Sequence, residues 1–337
     1  MEFFGITLFS SVSGAALIAI AAVVFIVGLI FTIKGGDWFV DSATWFAEAT
    51  GIPKFVIGAT VVSFATTLPE LLVSLRAALN GPTQMAIGNA VGSVTANTSL
   101  IMGISLCAIA GVVEKKSFRI KGSLFLLSAV GLLVLSLGGS LPVWSAAILW
   151  AFFLAFMIYN ILEGKKDAAA DGPAKFEKSE LGKNILFFIL GVAGIVLGAE
   201  FLVGSGQTLA RSMGISETII GFTVIALGTS LPELITTLTA IRKKEASLSV
   251  GNVVGANIID LTLILPLCSV IGGEAIAVEK VNLVFDFPVC IFATAVAVVP
   301  AMITGKFKKW QGVALLAIYV GYLACLVLNE AGVLAIG

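Results

Sequence analysis

Histidine is absent from this 337-residue chain. That absence removes a Ser-His-Asp triad, a histidine zinc site and any histidine proton relay, so the chain is not expected to be an enzyme. Charge is scarce as well: 12% of the residues are Asp, Glu, Lys or Arg, against 58% hydrophobic ones. The formal net charge is zero and singles out no nucleic acid or other charged partner. The four cysteines, Cys107, Cys268, Cys290 and Cys325, lie inside apolar stretches without any Cys-x-x-Cys spacing. They indicate neither a zinc knuckle nor a disulfide framework, and read as packing residues. The first apolar run is preceded by Glu2 and by no basic residue, unlike a secretory signal peptide, so this helix is expected to stay.

What the chain does have is apolar length. A mean hydropathy of +1.09 exceeds what a soluble core requires. Windows long enough to cross a ~30 Å hydrocarbon layer as helices of ~20 residues recur along the chain. The fold expected is an all-α membrane protein with ten transmembrane helices, at 13–34, 54–79, 83–112, 119–138, 141–162, 184–210, 217–241, 247–272, 281–304 and 310–330, the first continuing as a tilted helix to about 49. With the N-terminus outside, sixteen of the twenty Lys and Arg residues fall on the inner side, as the positive-inside rule demands. Both termini are therefore expected outside the cell membrane. Residues 163–183 become a cytoplasmic linker between a first five-helix repeat, 1–162, and a second, 184–337. The linker reads as a solvated tether too short for a calcium-sensor domain.

The two halves repeat each other. Adding 163 to a residue number carries Gly35 to Asn97 onto Gly198 to Asp260 without a gap, pairing TVVSFATTLPELL with TVIALGTSLPELI and IGNAVGSVTAN with VGNVVGANIID. Five spans separate the copies, and five is odd, so the copies enter the membrane from opposite sides. Inverted repeats of this kind characterise many secondary transporters, whose sites lie at the midplane between the halves. Glu70 lies 16 residues beyond Lys54, and Glu233 16 beyond Glu217. At ~1.5 Å per residue, each is ~24 Å along its helix, near the bilayer centre once tilt is allowed.

Local chemistry follows from the prolines. Pro69 and Pro232 lack an amide proton and clash with the carbonyl four residues back, so the helices should break at 65–67 and 228–230. Freed carbonyls in lipid need a polar partner, and a cation is one. The hydroxyls of Thr66, Thr67, Thr229 and Ser230 add neutral oxygens. Calcium favours six to eight oxygen ligands at ~2.3–2.6 Å, and two glutamates match its charge. Asn89, Ser93 and Asn97 share one helix face, and Asn252 and Asp260 another, so both faces could line the same cavity. Gly88, Gly92, Gly251 and Gly255 beside them would allow close helix approach. The competing reading makes Thr67-Leu-Pro-Glu70 and Ser230-Leu-Pro-Glu233 capping boxes. A mid-membrane carboxylate costs at least ~2.5 kcal/mol, incurred twice here, which argues against capping alone. Asn97 and Asp260 have a rival role as helix-to-helix hydrogen-bonding residues. Asp37 and Glu200 correspond by the same offset but fall near span ends, where snorkelling is cheap, and are left out of the site.

TTLPELLVS with GNAVGSVTAN, and GTSLPELIT with GNVVGANIID, resemble the two alpha-repeats of the sodium/calcium exchangers in the cation/calcium antiporter superfamily. The resemblance implies that Glu70 and Glu233, with the backbone oxygens of Thr66 and Thr229, hold Ca²⁺. It implies that sodium uses these carboxylates with the positions of Ser63, Thr67, Ser93, Ala226, Ser230 and Ala256, that Asn97 and Asp260 complete the cluster, and that the first and sixth helices slide across the other eight. Ala256 stands where the family usually has serine, Val94 where it has asparagine, and Ala65 where glycine is frequent. The alanine at 256 removes one potential oxygen ligand from the second half.

The function expected is therefore export of Ca²⁺ in exchange for Na⁺, with H⁺ or K⁺ as the alternative counter-ion and a cation channel as a remoter reading. Acid should inhibit by protonating Glu70 and Glu233, unless protons are themselves the counter-ion. No resident cofactor is expected, since Ca²⁺ and Na⁺ are cargo. The pseudo-symmetry is internal to the chain, so a monomer in the bilayer suffices for transport.

Overall fold

A computed structural model describes residues 2–3, 6–7, 12–80, 83–109, 113–170, 178–214 and 228–336. Eleven helices carry most of these residues, beside two short antiparallel strand pairs, Glu2–Phe3 with Ile6–Thr7 and Ser140–Leu141 with Ile276–Ala277. The helices are α1 (Gly14–Thr50), α2 (Lys54–Thr66), α3 (Leu68–Asn80), α4 (Gln84–Ala108), α5 (Lys115–Ser136) and α6 (Ser145–Ala170) in the first half. In the second half come α7 (Lys178–Ser212), α8 (Leu231–Arg242), α9 (Ala246–Gly272), α10 (Asn282–Thr304) and α11 (Lys309–Glu330). Eight of them are long and apolar enough to cross a membrane singly, and α2 with α3 meets the same length and composition as a pair bent by 46°, a broken span or a re-entrant loop. The first helix does run on without a break, to Thr50, as its apolar pattern suggested. Of the expected span 217–241, residues 217–227 lie outside the described residues, and the remainder forms α8 and the turn before it.

Burial separates the helices into an inner pair and an outer set. The most apolar stretches of α4 and α9 are each 78% buried, against 17% for α1. Both are rich in Gly, Ala, Ser and Asn, small enough for backbones to meet without a hydrophobic driving force between them. At Gly255 on α9, a Cβ would stand 2.5 Å from both the Ala59 carbonyl oxygen and the Ser63 hydroxyl of α2. Gly251 likewise faces the Phe55 carbonyl. The close approach expected at these two glycines is present. Gly88 and Gly92 meet no described neighbour within 4 Å of an added Cβ.

The two longest helices, α1 and α7, lie along each other through a second set of glycines. A Cβ at Gly35 would stand 2.7 Å from the Ile195 amide, and one at Gly191 2.7 Å from the Phe39 amide. Ion pairs then fasten α1 to the turn after α8: Arg242 and Lys243 meet Asp37, Lys243 meets Asp41, and Lys54 bridges Glu48 (3.0 Å) and Glu245 (2.8 Å). Asp37, set aside as a cheap snorkelling residue, is thus part of an interhelical charge cluster.

The repeat in the sequence returns as local geometry. The residue at the first break, Thr67, has φ −81° and ψ 5°; its equivalent, Ser230, has φ −83° and ψ 5°. A π-helical stretch covers Asn97–Ile101 in α4 and Asp260–Ile264 in α9, again 163 residues apart. Gly51 and Gly214, another corresponding pair, both take left-handed φ values of 69° and 75°, which glycine adopts without a Cβ penalty. Sequence pattern had located the breaks but not the π-helical stretches, which register as no change of composition.

Candidate functional site

The site is built where α2 stops and α3 starts. Thr67 N–H still reaches the Ser63 carbonyl at 3.0 Å, and Leu71 N–H reaches the Thr67 carbonyl at 3.0 Å, so helix geometry fails over a single residue. That residue lies two before Pro69, where the missing amide interrupts the ladder. At the other break, Leu231 N–H binds the Gly228 carbonyl (3.3 Å) and Leu234 N–H the Ser230 carbonyl (3.0 Å). Each break therefore delivers a glutamate, Glu70 or Glu233, to the first turn of the helix that follows.

Both carboxyl groups are fully buried, as is Asp260. The three lie near enough for their charges to act on one another, Glu70 on Glu233 and Asp260, and Asp260 on Glu233. None of the ion pairs formed by the described residues reaches them. Glu70 Oε1 accepts from the Ser230 hydroxyl at 3.5 Å, and its Oε2 has no partner among the described residues. Glu233 and Asp260 have no hydrogen-bond partner on either oxygen among the described residues. The Thr66 hydroxyl stands near Glu233 but donates to the Ser63 carbonyl (3.3 Å) and to Asn252 Oδ1 (3.2 Å). Buried carboxylates with unused lone pairs and like-charged neighbours are costly, and either a bound cation or protonation relieves such a cluster.

Neither hydroxyl of the expected capping boxes acts as a cap. Thr67 Oγ1 donates back to the Ser63 carbonyl at 2.8 Å, and Ser230 makes no capping bond at all. The capping alternative for Ser230 to Glu233 is therefore not realised.

Of the other residues the sequence pointed to, Ser63, Thr66, Thr67, Ser93, Asn97, Ser230 and Ala256 are all buried. Ser93 lies 3.5 Å from the Thr229 hydroxyl, bringing the two halves together directly. Asn97 leaves both ends of its amide unpaired, so the rival role as a helix-to-helix hydrogen bond is not played in this conformation. Ala226 lies outside the described residues. Among those residues, no three acidic, cysteine or histidine side chains converge closely enough to hold a metal by themselves, so carbonyl and hydroxyl oxygens would have to supply most of a cation's ligands.

The structure adds two threonines that sequence reasoning passed over, and gives the polar residue Asn257 of α9, which the sequence did offer, a partner. Thr236 and Thr237, one turn beyond Glu233, are fully buried with unpaired hydroxyls. Asn257 donates to Thr98 at 2.8 Å and leaves its Oδ1 free. A helical wheel from Glu233 would have found the threonines, three and four residues on along the same face.

Comparison with known proteins agrees with this architecture. The family model described as sodium/calcium exchanger protein matches residues 20–162 and 183–328. The sodium/calcium exchanger MaX1 of Methanosarcina acetivorans is 30% identical over 349 residues, covering 92% of this chain and 99% of that protein. The inner membrane protein YrbG of Escherichia coli is 34% identical over 264 residues, covering 75% and 80%. Among solved structures, the sodium-calcium exchanger NCX_Mj superposes with a TM-score of 0.80 at 28% identity, covering 91% of this chain and 99% of its own. Two apolar halves with matched helix breaks, three facing carboxyls in the interior, and these matches over nearly the whole length place the chain in the sodium/calcium exchanger family.

Proposed function

We infer that this chain, as a cation/calcium antiporter of that family, moves Ca²⁺ one way and Na⁺ the other through one midplane site formed by Glu70 and Glu233. In this reading the backbone oxygens of Thr66 and Thr229 and the oxygens at Ser63, Thr67, Ser93 and Ser230 serve with them as ligands, Asn97 and Asp260 complete the cluster, and the position of Ala226, outside the described residues, is assigned to the same set by family resemblance alone. The single observation that carries this reading is that Glu70 and Glu233 are both fully buried, within reach of each other's charge, and paired with no basic group among the described residues.

Two facing carboxylates compensate one divalent ion, or two monovalent ions in its place. Exchange follows if both species compete for the same charges and only the compensated site crosses between faces. An empty pair of carboxylates in a dehydrating passage stays where it is, because exposing them to a low-dielectric path costs several kcal/mol per ion. Ala256 offers no side-chain oxygen, so the second half provides one ligand fewer for sodium.

In this reading the chain crosses the membrane ten times as two inverted five-helix repeats, 1–162 and 184–337. The termini are outside and the 163–183 linker is in the cytoplasm. The glycine-locked pair α1 and α7 supplies a rigid unit able to move against the remaining helices.

The test is radioactive calcium uptake into proteoliposomes loaded with Na⁺ and diluted into Na⁺-free buffer. Uptake that requires the outward Na⁺ gradient and disappears in Glu233→Gln supports the reading. Uptake indifferent to Na⁺ but following a pH gradient replaces Na⁺ by H⁺ as counter-ion, and normal uptake in Glu233→Gln removes the site.

A further inference from the structure

Asn89 on α4 and Asn252 on α9 occupy equivalent repeat positions and make the same contact across the repeats. Asn89 Oδ1 accepts from Thr229 at 3.4 Å, and Asn252 Oδ1 accepts from Thr66 at 3.2 Å. The threonines are equivalents too, so the residue just before each break is held by the asparagine of the other half.

The opposite ends of the two amides behave differently. Asn89 Nδ2 donates to the Ser74 hydroxyl at 2.8 Å and to the Glu70 carbonyl oxygen at 3.2 Å, fastening α3 onto α4. Position 74 corresponds to Thr237. The Thr237 hydroxyl is fully buried and has no hydrogen-bond partner among the described residues, and neither has Asn252 Nδ2. The same donor and acceptor that satisfy each other in the first half are thus both left unsatisfied in the second. Buried polar groups are rarely left unpaired, so a complementary donor and acceptor both left so call for a physical cause. Nothing in the residue types prevents the second pair from forming, since threonine offers the same hydroxyl as serine.

We propose that Asn89 and Asn252 form an alternating clamp. In this conformation Asn89 is fastened to Ser74 and the Glu70 backbone while Asn252 is released. In the oppositely facing conformation Asn252 fastens to Thr237 and the Glu233 backbone while Asn89 lets go. The clamp rests on the reading that the halves are inverted copies that exchange conformations. Because each asparagine also holds the threonine that precedes the break in the other repeat, fastening in one half is felt at the other half's broken helix. The four residues are positioning residues, acting on Glu70 and Glu233 through the backbone.

The experiment reconstitutes the full chain in one orientation and measures apparent Ca²⁺ affinity at each face for wild type, Ser74→Ala and Thr237→Val. A lost hydrogen bond shifts the balance of the two facing states by about twofold to tenfold. Ser74→Ala weakens the conformation seen here, and Thr237→Val weakens the other, so the ratio of affinities at the two faces moves in opposite directions. Ser74→Thr and Thr237→Ser keep the hydroxyl and leave the ratio close to wild type. A shift of the same sign in both, or no shift in either, overturns the clamp, since a purely structural contribution would lower both affinities alike. Absence of Na⁺-driven Ca²⁺ uptake in the wild type would instead sink the exchange reading. In that event hydrogen exchange over Leu68–Asn80 in ion-free nanodiscs decides the clamp: Ser74→Ala should lower protection there and Thr237→Val raise it, and parallel changes overturn it.

Discussion

Gly255 and Ser63 touch across the two halves, so closely that a methyl group on the glycine would stand 2.5 Å from the serine hydroxyl. The Ala59 carbonyl lies at the same distance and is backbone, with no side-chain rotamer by which to retreat. Gly255→Ala is therefore expected to push α9 away from α2 and destabilise the protein by about 1–3 kcal/mol, the usual cost of overpacking. Thermal unfolding in detergent checks this. Because Ser63 is one of the proposed sodium positions, apparent Na⁺ affinity should fall with it.

The unpaired carboxyl cluster predicts opposite effects on stability and on transport. Glu233→Gln removes a buried charge that repels Glu70 and Asp260, so the ion-free protein should melt about 2–4 °C higher than wild type. The same substitution should abolish stabilisation by added Ca²⁺, which differential scanning fluorimetry measures. A variant that melts lower without ions would mean that Glu233 is satisfied by groups other than a cation.

Lys121 and Glu163 form a largely buried ion pair between α5 and α6. Their side chains are 3% and 12% exposed, and the ammonium also lies 4.4 Å from the centre of the Phe55 ring. Lys121→Met strands Glu163 and is expected to cost about 3–5 kcal/mol, whereas Lys121→Met combined with Glu163→Gln should recover most of it. A double-mutant cycle by thermal denaturation separates the pair from the packing of the lysine stem.

The charge cluster between α1 and the turn after α8 should matter far less to stability. Arg242 and Asp41 have side chains 59% and 65% exposed, so their pairs are screened. Asp41→Asn is expected to change stability by no more than about 1 kcal/mol. The effect should shrink further as salt rises, which melting at two ionic strengths reveals.

The sequence alone determined the membrane class, because apolar runs of spanning length are a direct consequence of the solvent the helices face. It also determined where α2 gives way to α3, because Pro69 cannot continue the ladder whatever surrounds it. The repeat at offset 163 brought Glu70, Glu233 and Asp260 to attention without coordinates, since carboxylates in apolar segments stand out by their cost.

Only the tertiary structure decided how those residues are used. Whether the Ser230 hydroxyl caps its own helix or reaches Glu70 depends on how the second broken helix is set against the first, which no local pattern specifies. The partners of Asn89 and Asn252 come from different helices and from the other half, and their inequality is a property of one conformation rather than of composition. Two halves with nearly the same sequence motif can occupy different local states because packing is bistable, and a sequence encodes both states without naming which one is populated.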